Sequence, residues 1–176
     1  MPGMAIHWRV CVMATFGAAA VGVALAPNHA RAGSALCPMP ERVLFSCAVG
    51  AKEVAVCASG KLTETTGIVQ YRFGRPSRVE LAYPPEGGDW RSVTRGATLA
   101  FSGGGGAFLV FDRPPYRYVV YTAVGQGWGS KSGVLIERSG NRIANLTCTN
   151  AANSELGPAL YSLAGILPFE ESFELP

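Results

Sequence analysis

The residues of this 176-residue chain that are best suited to contact a ligand lie in one glycine-rich stretch, residues 125–133. Its side chains provide an aromatic ring, a cation and two hydroxyls, on Trp128, Lys131, Ser130 and Ser132. Tyr121 lies on the strand that leads into it. Loops of this kind, carried by a rigid sheet, often present contact residues. We therefore predict a mobile binding loop; the alternative is a solvated loop with Trp128 turned inward.

Two glycine-rich stretches, residues 103–106 and 125–133, invite comparison with phosphate-binding loops. Such a loop needs a helix after it, so that the helix N-terminus faces the anion. Strand patterns follow both stretches, and the spacing of a Walker motif is absent. Residues 103–106 are therefore predicted to form a flexible hairpin turn.

Paired carboxylates could hydrolyse a glycosidic bond if about 5–10 Å separated them. The candidates are Glu53, Glu80, Asp89, Asp112 and Glu137. No pattern in the sequence brings two of them together, and the stretch from Asp112 to Pro115 is typical of a turn. We assign no catalytic residue.

Both histidines, His7 and His29, lie in a predicted leader. The mature chain would then lack Ser-His-Asp and Cys-His catalytic sets and histidine metal sites. We expect no cofactor and no metal, and we expect a binding function rather than an enzyme.

The leader is predicted to span residues 1–32 and to be cleaved after Ala32. A short n-region with His7 and Arg9 precedes an apolar run, and Ala30-Arg31-Ala32 is a small-x-small signal. The alternative is an uncleaved membrane anchor. A single domain, residues 33–176, would remain in the periplasm or outside the cell, without a stable membrane span.

Four cysteines remain in that domain: Cys37, Cys47, Cys57 and Cys148. An even number in an exported chain indicates two disulfides. A hairpin folded around Lys52 would place Cys47 opposite Cys57, so we predict Cys47–Cys57 and Cys37–Cys148. No CxxC pair favours a metal.

The charge of the domain argues against nucleic acid as a partner. Of the 15 basic residues, Arg9 and Arg31 lie in the leader, so 13 remain against 12 acidic residues, without a basic run.

Apolar and polar residues alternate in short segments that are bounded by glycine, proline or serine. Strands are predicted over 42–49, 53–59, 67–73, 78–83, 97–102, 107–112, 116–124, 133–138 and 142–149. This predicts an all-β antiparallel meander of about eight or nine strands, forming a barrel or a sandwich. A pairing of Arg72 with Glu80 is expected across the second hairpin.

The C-terminal part differs from the meander. A short helix is predicted over residues 155–165, with Leu156, Leu160, Leu163 and Ala164 on its apolar face. The acidic, aromatic tail, residues 167–176, is expected to pack through Phe169 and Phe173.

The strand preceding the glycine-rich loop has two different faces. Tyr116, Tyr118 and Val120 share one face by alternation, and Arg117, Val119 and Tyr121 share the other. Core packing explains such aromatic residues, and so does a protein interface.

Several segments resemble a set of small exported bacterial β-rich proteins whose activity is not established. They are Phe45-Ser46-Cys47, residues 52–57, 71–74 and 79–84, Gly133-Val134 and Leu146-Thr147-Cys148. Ser130-Lys131-Ser132-Gly133 is also similar to the loop that C-type lysozyme inhibitors insert into lysozyme. That family's Ser-Gly-x-x-Tyr pattern is absent here, so the likeness implies architecture only.

These observations favour an exported, non-catalytic binding protein of the cell envelope. Its partner would be a protein of the envelope, towards which it acts as an inhibitor or an immunity-type protein. The alternatives are a carboxylate-based hydrolase acting on cell-wall material and a structural envelope protein.

Overall fold

Two sheets, one of five strands and one of six, build the protein in a computed structural model that describes residues 1, 3, 33–76, 78–169 and 173–176. The elements in chain order are β1 (Arg42–Val49), β2 (Lys52–Ser59), β3 (Ile68–Arg75), β4 (Arg78–Tyr83), α1 (Trp90–Val93), β5 (Thr94–Phe101), β6 (Gly104–Arg113), β7 (Tyr116–Gly125), β8 (Gly129–Arg138), β9 (Asn141–Thr147), β10 (Asn153–Ser154), α2 (Pro158–Ala164) and β11 (Leu167–Pro168). The predicted signal sequence and its cleavage position lie outside the described residues, apart from Met1 and Gly3.

The strands pair mainly as consecutive antiparallel hairpins. Sheet A has the order β10-β1-β2-β3-β4, and sheet B has the order β11-β5-β6-β7-β8-β9. Because the sheets share no strand among the described residues, the architecture is a sandwich and not a closed barrel. All nine predicted strands are present, and the two additional ones are two residues long.

Apolar side chains from the facing sides of the two sheets form the main core. Val54 and Val56 of β2 and Leu109 and Phe111 of β6 are fully buried there. The ring of Tyr71 in β3 stacks on Tyr118 in β7, with 5.1 Å between centroids. The alternation predicted for β7 is confirmed, since Tyr118 and Val120 face this core and Val119 and Tyr121 face the other side of sheet B.

The predicted helix is present but starts later, at Pro158, so that Leu156 lies before it. Leu163, predicted on the apolar face, is 47% exposed, and Leu160 and Ala164 are buried as predicted. Gly157 precedes it with a φ of 151°, and Gly165 ends it in the left-handed conformation. Its buried Tyr161 donates a hydrogen bond to the carbonyl oxygen of Phe108 at 2.7 Å. The ring lies over Gly96, where a Cβ atom would come within 2.9 Å of it.

The chain then passes the edge of sheet B and returns over its outer face. β11 pairs in parallel with β5, and the amide of Phe169 donates to the carbonyl oxygen of Gly96 at 3.1 Å. Phe169 and Phe173 pack on Phe108, as the tail prediction expected.

Two disulfides are formed, but the predicted pairing is wrong: the bonds are Cys37–Cys57 and Cys47–Cys148. The first hairpin turns at residues 50–51 rather than at Lys52, so Cys47 lies opposite Val54. Cys47 points into the core, whereas Cys57 lies on the outer face of sheet A. Cysteines on opposite faces of a sheet cannot be joined without backbone movement.

The predicted ion pair between Arg72 and Glu80 is also absent from the described contacts. Arg72 pairs with Glu41 through two hydrogen bonds of 2.6 and 2.8 Å, and Glu80 pairs with Lys52. A bulge between β3 and β4 changes the register, so that Arg72 lies opposite Ala82.

No helix within the described residues is both long enough and apolar enough to cross a membrane.

Candidate functional site

Two neighbouring hairpin turns lie side by side at one end of sheet B. The turn between β5 and β6 contains Gly103, and the turn between β7 and β8 contains residues 126–128. The amide of Gln126 donates a hydrogen bond to the carbonyl oxygen of Gly103 at 2.8 Å. The expected mobile loop over residues 125–133 is therefore replaced by a three-residue turn, because β7 and β8 extend and pair as far as Gly125 and Gly129.

The glycine run at 103–106 is likewise largely strand rather than loop. β6 begins at Gly104, and Gly104, Gly105 and Gly106 pair with both β5 and β7. Because these three positions of a central strand have no side chains, the backbone there forms a flat surface against which neighbouring rings can pack.

Two aromatic rings occupy that surface. A Cβ atom at Gly125 would lie 2.2 Å from the indole of Trp128, and one at Gly104 would lie 2.5 Å from the ring of Phe101. The two rings have their centroids 5.8 Å apart. Trp128 remains 41% exposed and Phe101 37% exposed. These positions form an aromatic platform, defined here as Phe101 and Trp128 with Gly104 and Gly125 beneath them.

Lys131 adds a positive charge beside the platform. Its Nζ lies 5.4 Å from the centroid of the Trp128 ring, within the range of a cation–π contact. The same Nζ donates a hydrogen bond to the backbone oxygen of Pro176 at 2.8 Å. The half-buried Lys131 is thus oriented by two partners and joins the platform to the C-terminal tail.

Ser130 and Ser132 do not accompany Lys131. They alternate with it along β8, so they point to the opposite face of the sheet. The hydroxyl of Ser132 is 3.0 Å from that of Thr122, its neighbour on β7, and Ser130 is exposed at the end of its strand. The structure brings together Trp128 and Lys131 from the predicted set and separates the two serines from them.

Tyr121 is buried on the outer face of sheet B, beneath the tail. Its ring is 5.8 Å from that of Phe173, and its hydroxyl donates to Asn145 Oδ1 at 3.0 Å. Burial raises the pKa of Tyr121, while hydrogen bonds with Asn145 and Thr147 act in the opposite direction. Tyr121 therefore supports the tail and does not belong to the platform surface.

Three of the candidate carboxylates, Asp89, Asp112 and Glu137, are bound to other groups of the protein. Asp89 caps α1 by accepting a hydrogen bond from the amide of Arg91. Asp112 and Glu137 lie on either side of Arg117, at 3.9 and 3.2 Å from its guanidinium. Asp112 and Glu137 thus share Arg117 as an ionic partner.

A cleft of about 480 Å³ on the outer face of sheet A contains another charged group. Arg72 is bound there to Glu41, to the carbonyl oxygen of Leu36 and to Gln70. Its hydrogen-bonding capacity is almost fully used, which leaves little for a ligand. Cys37, Cys57 and Glu41 come close enough for a metal, but both sulfurs are in a disulfide.

Phe101 and the glycine floor were not predicted as parts of the site. The alternation along β6 contains the signal, because Phe108 faces outward and so do Gly106 and Gly104. This alternation was missed because residues 103–106 were predicted to form a turn.

Comparisons of the chain with protein-family models, curated proteins and solved structures find no match. The resemblance to small exported β-rich proteins therefore stays a prediction.

Proposed function

We propose that the protein is a non-catalytic binding protein of the cell envelope, periplasmic or secreted, and that it contacts a protein partner through the aromatic platform and Lys131. One observation carries this proposal: two half-exposed aromatic rings and a cation are held on a rigid floor of strand backbone. Tryptophan is enriched among the residues that dominate binding energy at interfaces.

The rigidity of the platform supports binding over a merely accidental surface patch. Both turns are fixed by paired strands and by the Gln126–Gly103 hydrogen bond. Side chains that are already ordered lose less entropy on association, so they contribute more to affinity.

Two further features agree with an exported, non-catalytic protein. The two disulfides are typical of proteins from oxidising compartments. Both histidines lie in the predicted leader, at positions 7 and 29, and Asp112 and Glu137 both pair with Arg117. Both features leave binding as the simplest use of the exposed rings.

The test is capture of a partner from cell-envelope extract by the exported, oxidised protein. We expect one stoichiometric protein to be retained and to be lost when Trp128→Ala and Lys131→Ala are combined. Leu163→Ala is the matched control, because Leu163 is 47% exposed on α2, away from the platform. Isothermal titration with the purified partner then gives the affinity of each variant.

Equal affinity of the platform variant and the wild type, with both folded, would remove the platform from the proposal. Absence of any partner, with the bait folded and monomeric, would redirect attention to glycans and to the hydrolase alternative.

A further inference from the structure

The outer face of sheet B has an apolar strip that is covered by side chains from the C-terminal tail. Five buried residues form its centre, namely Phe108, Val110, Val119, Tyr121 and Leu135. If such a strip were left uncovered, it would mark an interaction surface in most proteins. Here the side chains of Phe169, Phe173 and Leu175 lie on it.

Phe173 makes the central contact of the tail. Its ring is 4.9 Å from Phe108 and 5.8 Å from Tyr121, so it lies over the boundary between β6 and β7. Leu175 follows two positions later and packs against the same strip. An extended segment places side chains i and i+2 on the same side, which explains why these two residues point down together.

The backbone of the tail is held by side chains of the sheet. Lys131 Nζ donates to the oxygen of Pro176 at 2.8 Å, and Arg142 Nη2 donates to the oxygen of Glu174 at 3.1 Å. Among the described residues, positions 173–176 make no backbone–backbone hydrogen bond. Apolar pockets combined with side-chain donors to a backbone are the means by which a groove recognises an extended peptide.

The two ends of the domain are attached differently. Residues near the N-terminus are fixed to sheet A by the Cys37–Cys57 disulfide. The segment 173–176 is held by non-covalent contacts in the part of the chain that the structure describes. It can therefore exchange with another peptide without breaking a covalent bond.

We propose that the outer face of sheet B is a binding groove for an extended peptide with an aromatic residue two positions before an aliphatic one, and that residues 173–176 occupy this groove in cis. The two cations, Lys131 and Arg142, favour a peptide with acidic neighbours, as in the tail sequence Glu170 to Pro176. The inference extends the proposed function, since Lys131 borders both the platform and the groove.

The tethered tail competes with any peptide added in solution. A short tether gives an effective concentration of about 1 mM. For a peptide with an intrinsic Kd of about 100 µM, this occupancy raises the apparent Kd roughly tenfold. Weakening the tail should therefore expose the intrinsic affinity.

The experiment compares the full chain with Phe173→Ala/Leu175→Ala in the same chain. A fluorescein-labelled peptide with the sequence of residues 170–176 is titrated with each protein, and anisotropy is recorded. We expect the variant to bind about tenfold or more tightly than the wild type. A peptide carrying alanine at both of these positions is the matched control and should bind neither protein.

Two results would overturn the proposal: a folded, monomeric variant that does not bind the peptide, or equal affinity of both proteins, which would place the peptide elsewhere. If the double variant does not fold, Leu175→Ala alone provides the same comparison. The assay contains no envelope partner. A negative result in the peptide assay therefore leaves the platform proposal intact. A failure to capture any partner from envelope extract leaves the groove proposal intact.

Discussion

The indole of Trp128 lies directly against the α-carbon of Gly125, so closely that a Cβ atom there would be 2.2 Å from two ring carbons. The exposure and orientation of Trp128 therefore depend on a residue with no side chain. This relationship explains why a tryptophan on a hairpin turn can be both partly exposed and fixed. It also makes the platform sensitive to the smallest possible substitution.

Gly125→Ala should displace Trp128 while leaving the sandwich folded. Forcing a methyl group into a packed position typically costs about 1–3 kcal/mol. We expect a lower Tm and a red-shifted emission from Trp128, which is already 41% exposed, whereas Trp90 is buried. Gly127→Ala is the control for turn strain, since its φ is 88° but no atom lies within 4 Å of the added Cβ. A similar emission shift in both variants would contradict the direct contact.

The two disulfides should contribute unequally to stability. Cys47–Cys148 closes a loop of 101 residues and joins the two sheets, whereas Cys37–Cys57 spans 20 residues. In the chain-entropy model the first is worth about 4.7 kcal/mol and the second about 3 kcal/mol. Cys47→Ala/Cys148→Ala should therefore lower the free energy of unfolding more than Cys37→Ala/Cys57→Ala, as measured by guanidinium denaturation. Peptide mapping of the oxidised protein checks the pairing itself.

Local periodicity predicted the strands and their antiparallel meander well, because alternation depends on which face of a strand is buried; it left open whether they form a barrel or a sandwich. Both ends of β1 were predicted correctly, and so were both ends of β4. The disulfide pairing was not, because it depends on the position of one turn. Gly50 adopts a φ of 63° and the hairpin turns at residues 50–51, so the residue opposite Cys47 is Val54 rather than Cys57.

The candidate site was predicted only in part for a related reason. Trp128 and Lys131 were identified by residue type, but Phe101 comes from a different hairpin, 27 positions away along the chain. No local pattern reports that two turns are hydrogen-bonded to each other. Glycine is also ambiguous in sequence, since it permits both a turn and a close approach of a ring to the backbone.

The Arg72–Glu41 ion pair should stabilise the segment of residues 36–41, which precedes β1. Both side chains are largely buried, at 15% and 16% exposure, and Arg72 also donates to the carbonyl oxygen of Leu36 at 2.6 Å. Hydrogen bonds to charged groups are worth about 1.5–3 kcal/mol. Arg72→Met should accelerate hydrogen exchange at the amide of Glu41, which donates to Pro38. Residues of sheet B should be affected less.

The control for that experiment is a more exposed ion pair that involves Arg42 of β1. Arg42 is 51% exposed in its pair with Glu155, and exposed pairs contribute about 0–1 kcal/mol. Arg42→Met should therefore leave both the exchange rate and the Tm nearly unchanged. If Arg72→Met also left the exchange rate and the Tm unchanged, the Arg72–Glu41 ion pair would have no role in fixing residues 36–41.

Alkaline pH should destabilise the protein through its buried tyrosines. Burial raises the pKa values of Tyr71, Tyr121 and Tyr161 above the usual value of about 10. Above that pH the unfolded chain releases these protons while the folded chain retains them, so the free energy of unfolding falls as pH rises. Each such group contributes a slope of up to about 1.4 kcal/mol per pH unit, and below pH 9 the contribution is fully present and constant.

Tyr161→Phe isolates one of these contributions. The variant loses the hydrogen bond to Phe108, so its stability should be lower than that of the wild type at neutral pH. Its free energy of unfolding should nevertheless fall less steeply between pH 10 and the onset of alkaline unfolding. The reason is that phenylalanine has no proton that the folded state retains and the unfolded chain releases. Urea denaturation at a series of pH values measures both quantities. Parallel curves over the whole range would show that Tyr161 ionises in the folded protein as readily as in the unfolded chain.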